Sequence, residues 1–536
     1  MQAFGLSCQG GLNTNLNQFQ MLQQPGFATE LQNFEVDPDG GYRRINGYTL
    51  YGGSSAARPN SSNPILGLFV YADGVIAASG TNLYFTLDGT SWVQINRSSV
   101  SGSGDNYSTF TGRSTATRTS QSYANFTLFE GNTTYGEVVI TDKGSGVKPA
   151  LFKMTGTGDS LSDRTYFYEE ITVSGTHYPK FCTIHDKHLV VAGAATAPNT
   201  IFYSGTSDIN DFTSTGSGSI VLDDQVVGLR SFRGDLIIFC KNSIYKLVNI
   251  NDSNSIAVVP ITKNVGCLDG HSIQEIGGDL LFLSPDGLRL VAGTARIGDV
   301  ELSSVSRQIQ SIISDIAASI DSYIITSAVL RSKSQYRLFY SSSVGATSSS
   351  KGIIGTITPQ GFEWSETEGI QAHGFTSGLD NDSVEQIYHG DKDGYVYNHN
   401  TGNDFNPAGT QTNIKARYKT PNLDFGDAGT LKTMHYVKMS LTPEGSIQPN
   451  LKVSYDFDDN NKPQPASYSL DSIPLPTIFG SATFGTGVFG ASTDPMVRQA
   501  VQGSGHNVAL KLFSEDTKAP YSINGFYIDY RPSGRR

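Results

Sequence analysis

Seven short units of the same kind recur between residues 64 and 400 of this chain, each an apolar strand, a glycine-centred turn and a second strand. Successive units begin mostly about 45 to 60 residues apart, the spacing expected when one small sheet follows another around a ring. No unit can bury both faces of its sheet alone, so neighbours must stack. We therefore predict an all-β chain that contains a β-propeller of six or seven blades. The clear units are 65–85, 187–205, 234–248 and 278–293, and the weaker ones are 136–153, 336–357 and 386–399.

Length and composition agree with an all-β, multidomain protein. A chain of 536 residues exceeds what one hydrophobic core normally serves. Its 58 glycines suit turns, and its 26 tyrosines and 28 phenylalanines suit pleated faces. The formal net charge of −11 argues against a protein that wraps the nucleic-acid backbone, which needs Lys and Arg to replace counterions. A negative wall would still let DNA pass without binding it.

Composition shifts predict three parts. Residues 1–60 are an N-terminal arm followed by a hairpin around the turn sequence DPDGG, with residues 1–25 either packed on a neighbouring subunit or forming a partly ordered tail. Residues 61–405 form the propeller, and residues 406–536 carry strand-like pieces at the spacing of a β-sandwich. One helix is predicted within 304–319, where isoleucines at helical spacing form an apolar stripe that we expect to pack on the ring.

The sequence offers no pattern for a cofactor or a metal. Its four cysteines are widely spaced, without CxxC or Cys/His runs, so we expect reduced thiols, with Cys240 and Cys267 buried in or beside strands. The start of the chain has no basic and apolar regions of a secretory signal, and no apolar run has the length of a membrane span. We predict no cofactor, no metal, no catalytic residue and no membrane span.

Three turn sequences invite a functional interpretation. TLDGTSW resembles the Asp-box that closes the outer hairpin of propeller blades in sialidases, with Asp88 accepting backbone hydrogen bonds, Gly89 making the turn and Trp92 packing beneath. We expect this turn to be structural. GDKDGYVYNH begins like a calcium loop but lacks the later ligands, which favours a tight hairpin turn. In IHDKH, His185 and His188 are predicted to be solvent-exposed turn residues.

Two further groups are candidate interface residues. Phe479, Phe484 and Phe489 lie five residues apart, each followed by glycine, and would either pack on a neighbouring subunit or cover the chain's own sandwich. Arg43 and Arg44 form a small basic pair that would contact an acidic patch of a partner or DNA phosphates.

Three blocks in fixed order resemble phage tail nozzle and tail-hub proteins. The first is GGLNTN followed by PGFATELQNFEVDPDGGYRRINGY. The second is DQVVGLRSFRGDLIIFCKNSIYKL followed by GCLDGHSI and GDLLFLSPDGLRLVAGTARIGDVELSSVSRQI. The third runs from TPNLDFGDAGTLKTMHYVKMSL through the Phe-Gly repeat to INGFYIDYRPSGRR. The resemblance spans most of the chain. This chain is shorter than large nozzles, which puts fibre docking in doubt.

The resemblance implies a structural virion protein of a short-tailed phage, made in the host cytoplasm and located in the tail. It implies that six copies of this chain form a ring below the portal adaptor. The ring would continue the DNA channel, retain the genome and dock tail fibres or spikes, and the DNA would pass through it without specific binding. It transfers no catalytic residue. The alternative is a carbohydrate- or receptor-binding propeller of a virion. A sialidase-like glycosidase is a further alternative. The sequence argues against it, because no Arg-Ile-Pro block and no paired acidic motif stand out.

Overall fold

The structure is a computed structural model of the chain. Among the residues it describes, strands dominate and helices are short. The predicted contacts of Phe479, Phe484 and Phe489 lie outside the described residues. The described ranges are 2–61, 63–96, 106–107, 118, 122–131, 134–144, 146–175, 177–291, 304–341, 350–471, 473 and 496–535.

The described strands of the middle region form seven blades, each holding one of the units read from the sequence. Six blades are separate sheets, and blade 6 is the first part of a nine-stranded sheet. Blade 1 comprises Ile65–Tyr71, Gly74–Ser79, Asn82–Thr86 and Val93–Gln94, and blade 2 comprises Ala124–Phe129, Glu137–Asp142, Ala150–Thr155, Thr165–Glu170 and Asn106–Tyr107. Blade 3 comprises Phe181–His185, His188–Ala194, Ala197–Tyr203 and Gly218–Val221. Blade 4 comprises Val226–Phe232, Asp235–Cys240, Ile244–Val248 and Ala257–Thr262. Blade 5 comprises Gln274–Ile276, Asp279–Ser284 and Gly287–Leu290. Blade 6 comprises Ile324–Leu330, Gln335–Ser341, Lys351–Thr358 and Gly361–Glu368. Blade 7 comprises Gly374–Leu379, Glu385–Gly390, Val396–His399 and Tyr48–Leu50.

The blades are arranged around an axis, which makes the middle region a β-propeller. The first strand of each blade contacts its counterpart in the next, with the turn Gly270–Ser272 mediating between blades 4 and 5. The first strand of blade 7 contacts that of blade 1, so the ring is closed. Blade 7 takes its outermost strand, Tyr48–Leu50, from the N-terminal region, with Tyr397 opposite Leu50. This pairing ties the beginning of the ring to its end.

Both ends of the chain build a β-sandwich beside the propeller. One layer is a seven-stranded sheet. Five of its strands follow one another in the order Phe34–Val36, Tyr42–Arg44, Tyr521–Arg535, Thr430–Pro443 and Met496–Ala500. The other two are Gln2–Ser7, which pairs with Tyr521–Arg535, and Ser504–Gly505, which pairs with Thr430–Pro443. The other layer continues from blade 6 through Glu30–Gln32, Ile414–Lys419, Val508–Asp516, Asn450–Tyr455 and Tyr468–Ser469. The predicted hairpin is therefore present, and the structure places residues 2–25 against the chain itself, with Gln2–Ser7 in the sandwich.

The sandwich layers share one core that reaches into the propeller. Val437 and Ile528 of the seven-stranded sheet and Leu512 of the facing layer belong to the same buried cluster as Leu338 of blade 6. The shared core makes the two parts one packed body, because apolar area removed from water stabilises them jointly.

The predicted helix is present as a 3-10 turn, Arg307–Ile309, followed by Gln310–Ala318. Ile309, Ile313 and Ile316 are buried in the same cluster as Leu288 of blade 5, so the prediction that the helix packs on its own ring is confirmed. The second described α-helix is Gln18–Leu22. The other described 3-10 turns are Leu161–Asp163, Gly270–Ser272, Ile320–Ser322, Arg331–Lys333, Pro407–Gly409 and Asp456–Asp458. None of the described helices is long and apolar enough to cross a membrane.

Candidate functional site

The seven-stranded sheet ends in unpaired strands on both sides. Among the described residues, Gln2–Ser7 pairs only with Tyr521–Arg535, and Met496–Ala500 pairs only with Thr430–Pro443. Each outer strand therefore presents a row of backbone N–H and C=O groups without a ladder partner. Such edges are templates for another strand, and soluble proteins usually cover or charge them.

Apolar side chains are exposed on the same sheet. Met496 is 51% exposed and Tyr527 is 52% exposed, although most large apolar residues of the described chain are buried. Both line a shallow groove of about 450 Å³ that also includes Gly5, Leu6 and Phe526. Exposed apolar groups clustered beside open strand edges indicate a contact surface for another protein chain.

The N-terminal segment is fixed onto blade 6 by close backbone contacts. Gly11 has a positive φ of 72°, and a Cβ there would lie 2.8 Å from the backbone of Trp364 in blade 6. The Leu12 amide donates to the Trp364 carbonyl at 2.7 Å, and the Gly10 amide donates to the Glu363 carboxylate at 2.7 Å. The position of Gln2–Ser7 is thus set by the chain itself.

A buried ionic junction lies beneath the N-terminal hairpin, between blade 6 and the sandwich. The carboxylate of Glu35, with a side chain 3% exposed, accepts from Arg43 at 2.7 Å, Lys333 at 2.7 Å and Arg337 at 2.8 Å. Burial alone would raise the pKa of Glu35, but Lys333, Arg337 and Arg43 lower it to about 2. One anion thus neutralises cations from the hairpin and from the propeller.

Two buried histidines extend this junction into blade 7. The Arg337 guanidinium donates to Nε2 of His399 at 2.9 Å, and Nδ1 of His399 lies 3.2 Å from Nδ1 of His389. Burial lowers the pKa of His389 to about 3, and burial with the neighbouring His389 and Arg337 lowers the pKa of His399 well below its usual range. Both imidazoles are therefore neutral at physiological pH, as a ring beside an arginine must be.

The candidate interface arginines are engaged within the chain. Arg43 bridges Glu35 and Glu444. Arg44 is fully buried, and its guanidinium donates to the backbone carbonyls of Asp516 at 2.8 Å and Ala519 at 3.2 Å. The structure thus assigns this pair to packing of the hairpin on the sandwich. Sequence reasoning missed Glu35, Lys333 and Arg337, because Glu35 lies some 300 positions before the other two and shares no motif with them.

The Asp-box-like turn joins the third and fourth strands of blade 1. The Asp88 carboxylate accepts from the Thr90 amide at 2.8 Å and from the Thr90 hydroxyl at 2.7 Å. Gly89 has a positive φ of 78° and lies against Tyr51, whose ring meets Trp92 edge-on at 6.4 Å. These contacts are local, and they attach the turn to the segment that follows the closing strand Tyr48–Leu50.

The two histidines of IHDKH are not solvent-exposed, and that prediction was wrong. Only Asp186 and Lys187 make the turn, both at positive φ, while His185 and His188 form the first pair of the ladder. His188 is 1% exposed and bonds the Ser204 carbonyl at 2.6 Å, and His185 is 2% exposed and bonds the Ser231 hydroxyl of blade 4 at 2.9 Å.

Two other sequence interpretations agree with the structure. The Asp391 carboxylate accepts from the amides of Asp393 and Tyr395, both at 2.9 Å, in a hairpin turn between two strands of blade 7. All four cysteines are buried and free, including Cys240 and Cys267. Within the described ranges, no three His, Cys, Asp or Glu side chains are close enough together to hold a metal ion.

The propeller axis is narrow. Residues from the first strands of all seven blades or from the turns beside them surround a cavity of only about 120 Å³. Phe69, Phe126 and Phe375 lie on its wall. A nucleic-acid strand does not fit such a cavity.

Comparisons with known proteins give distant structural similarities alone. No family model matches the chain, and no curated protein matches it. BamB from Moraxella catarrhalis is similar at 12% identity and a TM-score of 0.33, covering 62% of this chain and 92% of BamB. An exo-β-1,3-galactanase from Phanerochaete chrysosporium is similar at 9% identity and a TM-score of 0.25, covering 93% of this chain and 99% of the galactanase. The propeller assignment rests on the strand pairing described above.

Proposed function

We propose that this protein is a structural subunit of a phage tail, the nozzle or hub ring, and that it has no catalytic role. The observation that carries the proposal is the seven-stranded sheet with two open edges. Six of its seven strands lie in the first and last blocks of the tail-nozzle resemblance, and the sheet exposes Met496 and Tyr527. An edge on each side of one sheet permits head-to-tail contacts, which form a ring when the rotation closes.

In this proposal the subunit acts through rigidity and surface. Six copies surround the channel that continues the portal adaptor, hold the genome before infection and carry fibres or spikes. The formal charge of −11 suits a channel wall that does not retain DNA. The ionic junction of Glu35 stiffens the joint between propeller and sandwich, so that a force on one part reaches the other.

Cryo-electron microscopy of purified virions tests the proposal. A nozzle subunit must lie on the tail axis, around DNA, in a ring below the adaptor. Density for this chain at the periphery of the particle, or in no particle at all, would refute the tail role. Antibody labelling against the chain distinguishes the two positions when density is weak.

A second candidate function is binding of a carbohydrate on a host receptor. A groove of about 620 Å³ between the N-terminal segment and blade 6 carries many side-chain amides and two aromatic rings. Amides can bond sugar hydroxyls, and rings can cover the apolar face of a sugar. A glycan array with the whole chain tests this function, and variants in the groove must lose any signal. The groove residues with such groups are Gln9, Gln23, Gln24, Phe27, Gln308, Gln360 and Phe362.

We expect the isolated protein to be soluble and weakly associating, because each open edge offers few hydrogen bonds and an adaptor surface must align the copies. Multi-angle light scattering at micromolar concentration should give mostly monomer. Stable isolated hexamers at that concentration would contradict the dependence on an adaptor, though not the ring itself.

A further inference from the structure

The axial cavity of the propeller holds a concentration of polar groups that the ring function does not use. It is lined by Tyr123 and Asn125 of blade 2, Arg230 of blade 4, and His271 and Gln274 beside and within blade 5. Its volume of about 120 Å³ exceeds the roughly 30 Å³ that one water occupies in the liquid. The cavity therefore has room for several waters or for one small polar ion.

Arg230 is a cation that has no carboxylate partner among the described residues. Its guanidinium donates two hydrogen bonds, to the carbonyls of Leu229 at 3.1 Å and Ile273 at 3.3 Å. Within the described part of the chain, no carboxylate lies within 4 Å of it. Burial lowers the pKa of Arg230, the usual effect of removing water from a charge. A guanidinium has five N–H donors, so donors remain for a ligand, and an anion would offset the cost of burying the charge.

His271 is fixed by a short chain of charges. Asp269 accepts from Nδ1 of His271 at 3.1 Å and from Lys143 at 3.1 Å. Although burial acts in the opposite direction, Lys143 and His271 hold the pKa of Asp269 well below its usual range, so it is a carboxylate. Burial and the nearby Lys143 lower the pKa of His271, so its ring is neutral. With the proton on Nδ1 facing Asp269, Nε2 is an acceptor.

Two buried polar atoms at the cavity have no partner. Nε2 of His271 and the hydroxyl of Tyr123 are buried without a hydrogen bond, and the two rings lie 5.1 Å apart. An unsatisfied buried polar atom costs about 1–3 kcal/mol, and most native proteins avoid it. Two such atoms belong to residues that line one cavity, and Arg230 beside them has no carboxylate partner among the described residues. Together they match a ligand that both accepts and donates hydrogen bonds.

We infer that the axial cavity binds a small oxyanion that carries one O–H, of which hydrogen phosphate is the simplest. Arg230 and the Tyr123 hydroxyl donate to its oxygens, and Nε2 of His271 accepts from its hydroxyl. Sulfate has the same shape and charge but no hydroxyl, so it leaves Nε2 facing a lone pair. The ligand would sit against the first strands of several blades at once and hold the ring closed.

Isothermal titration calorimetry of the whole chain with sodium phosphate and sodium sulfate tests this inference. Phosphate should bind once per chain, and sulfate should bind about tenfold more weakly or worse, because a site built to bond a hydroxyl rejects an analogue that lacks it. Arg230→Gln should weaken phosphate binding by about tenfold or more, since a charge-assisted hydrogen bond is lost. Arg233→Gln is the matched control on an exposed turn of the same blade, and it should leave binding unchanged.

Tyr123→Phe keeps the ring and removes only the hydroxyl, so it decides the question even if the Arg230 variant does not fold. It should weaken phosphate binding several-fold while circular dichroism stays the same. No heat from phosphate with the wild-type chain would overturn the inference. Equal binding of phosphate by wild type and by both cavity variants would overturn it as well. Neither result bears on the position of the chain in a virion, which imaging decides.

Discussion

Replacing Glu35 by glutamine is expected to lower the free energy of unfolding by about 3–5 kcal/mol, the cost of removing one partner from a buried ion pair. The substitution keeps the shape of the side chain but leaves Lys333 and Arg337 without an anion, while Arg43 keeps only Glu444. Arg337, whose side chain is 1% exposed, cannot move into water. Two uncompensated cations at the joint between propeller and sandwich should weaken both.

Urea unfolding followed by tryptophan fluorescence measures this effect at the joint itself. The chain has two tryptophans, and Trp364 is buried in the core shared by blade 6 and the sandwich. A Trp92→Phe background makes Trp364 the sole reporter. Glu444→Gln is the matched control, because Glu444 also binds Arg43 but is 43% exposed, and exposed pairs contribute only about 0–1 kcal/mol. Equal losses for both variants would contradict the role assigned to Glu35.

The same junction predicts a dependence of stability on pH. The pKa of Glu35 is about 2 in the folded chain, compared with 4.5 for the free side chain. The unfolded chain therefore takes up a proton first as the pH falls, and stability is lost from about pH 4.5 towards pH 2. His389 and His399 act in the same direction and from higher pH, because their folded pKa values also lie below 6.5. Stability that does not change between pH 7 and pH 4 would contradict both assignments.

The blades could be predicted from the sequence because each is encoded locally. A strand, a glycine turn and a second strand lie within about twenty residues, and each of the seven units read in this way became one blade. Their closure could not be predicted. Blade 7 is completed by Tyr48–Leu50, some 350 positions before its other strands, and blade 6 is continuous with the sandwich through Glu30–Gln32. Local periodicity carries no information on such distant partners, so the number of blades stayed open between six and seven.

The charged junction and the buried histidines show the same limit at the level of side chains. Glu35 lies in a turn-rich, polar region, where a carboxylate is usually exposed, and its partners come from the far end of the propeller. His185 and His188 looked like turn residues because they flank Asp186 and Lys187. The neighbouring blade covers them, as the bond from His185 to Ser231 shows. Burial caused by packing between blades leaves no local trace in a sequence.

Proline at position 3 of the outer strand Gln2–Ser7 is expected to weaken self-association strongly without unfolding the chain. The Cys8 amide donates to the Asn524 carbonyl at 3.0 Å. Amides alternate in direction along an antiparallel strand, so those of Gln2, Phe4 and Leu6 also face Tyr521–Arg535, and that of Ala3 faces outward. Ala3→Pro therefore removes an N–H that only a second chain could use, and its ring obstructs the edge.

Sedimentation equilibrium over a wide range of concentration measures the effect. Ala3→Pro should weaken self-association by about tenfold or more. One hydrogen bond between the two chains is lost, which costs about 0.5–1.5 kcal/mol, and the proline ring prevents the neighbouring hydrogen bonds between the chains from forming. Ala3→Ser keeps the amide and should associate as the wild type does. Phe4→Pro, in contrast, removes an inward hydrogen bond and should reduce the stability of the monomer. If Ala3→Pro associates as strongly as Ala3→Ser, the strand Gln2–Ser7 is not the edge at which subunits meet, and the ring must close through another surface.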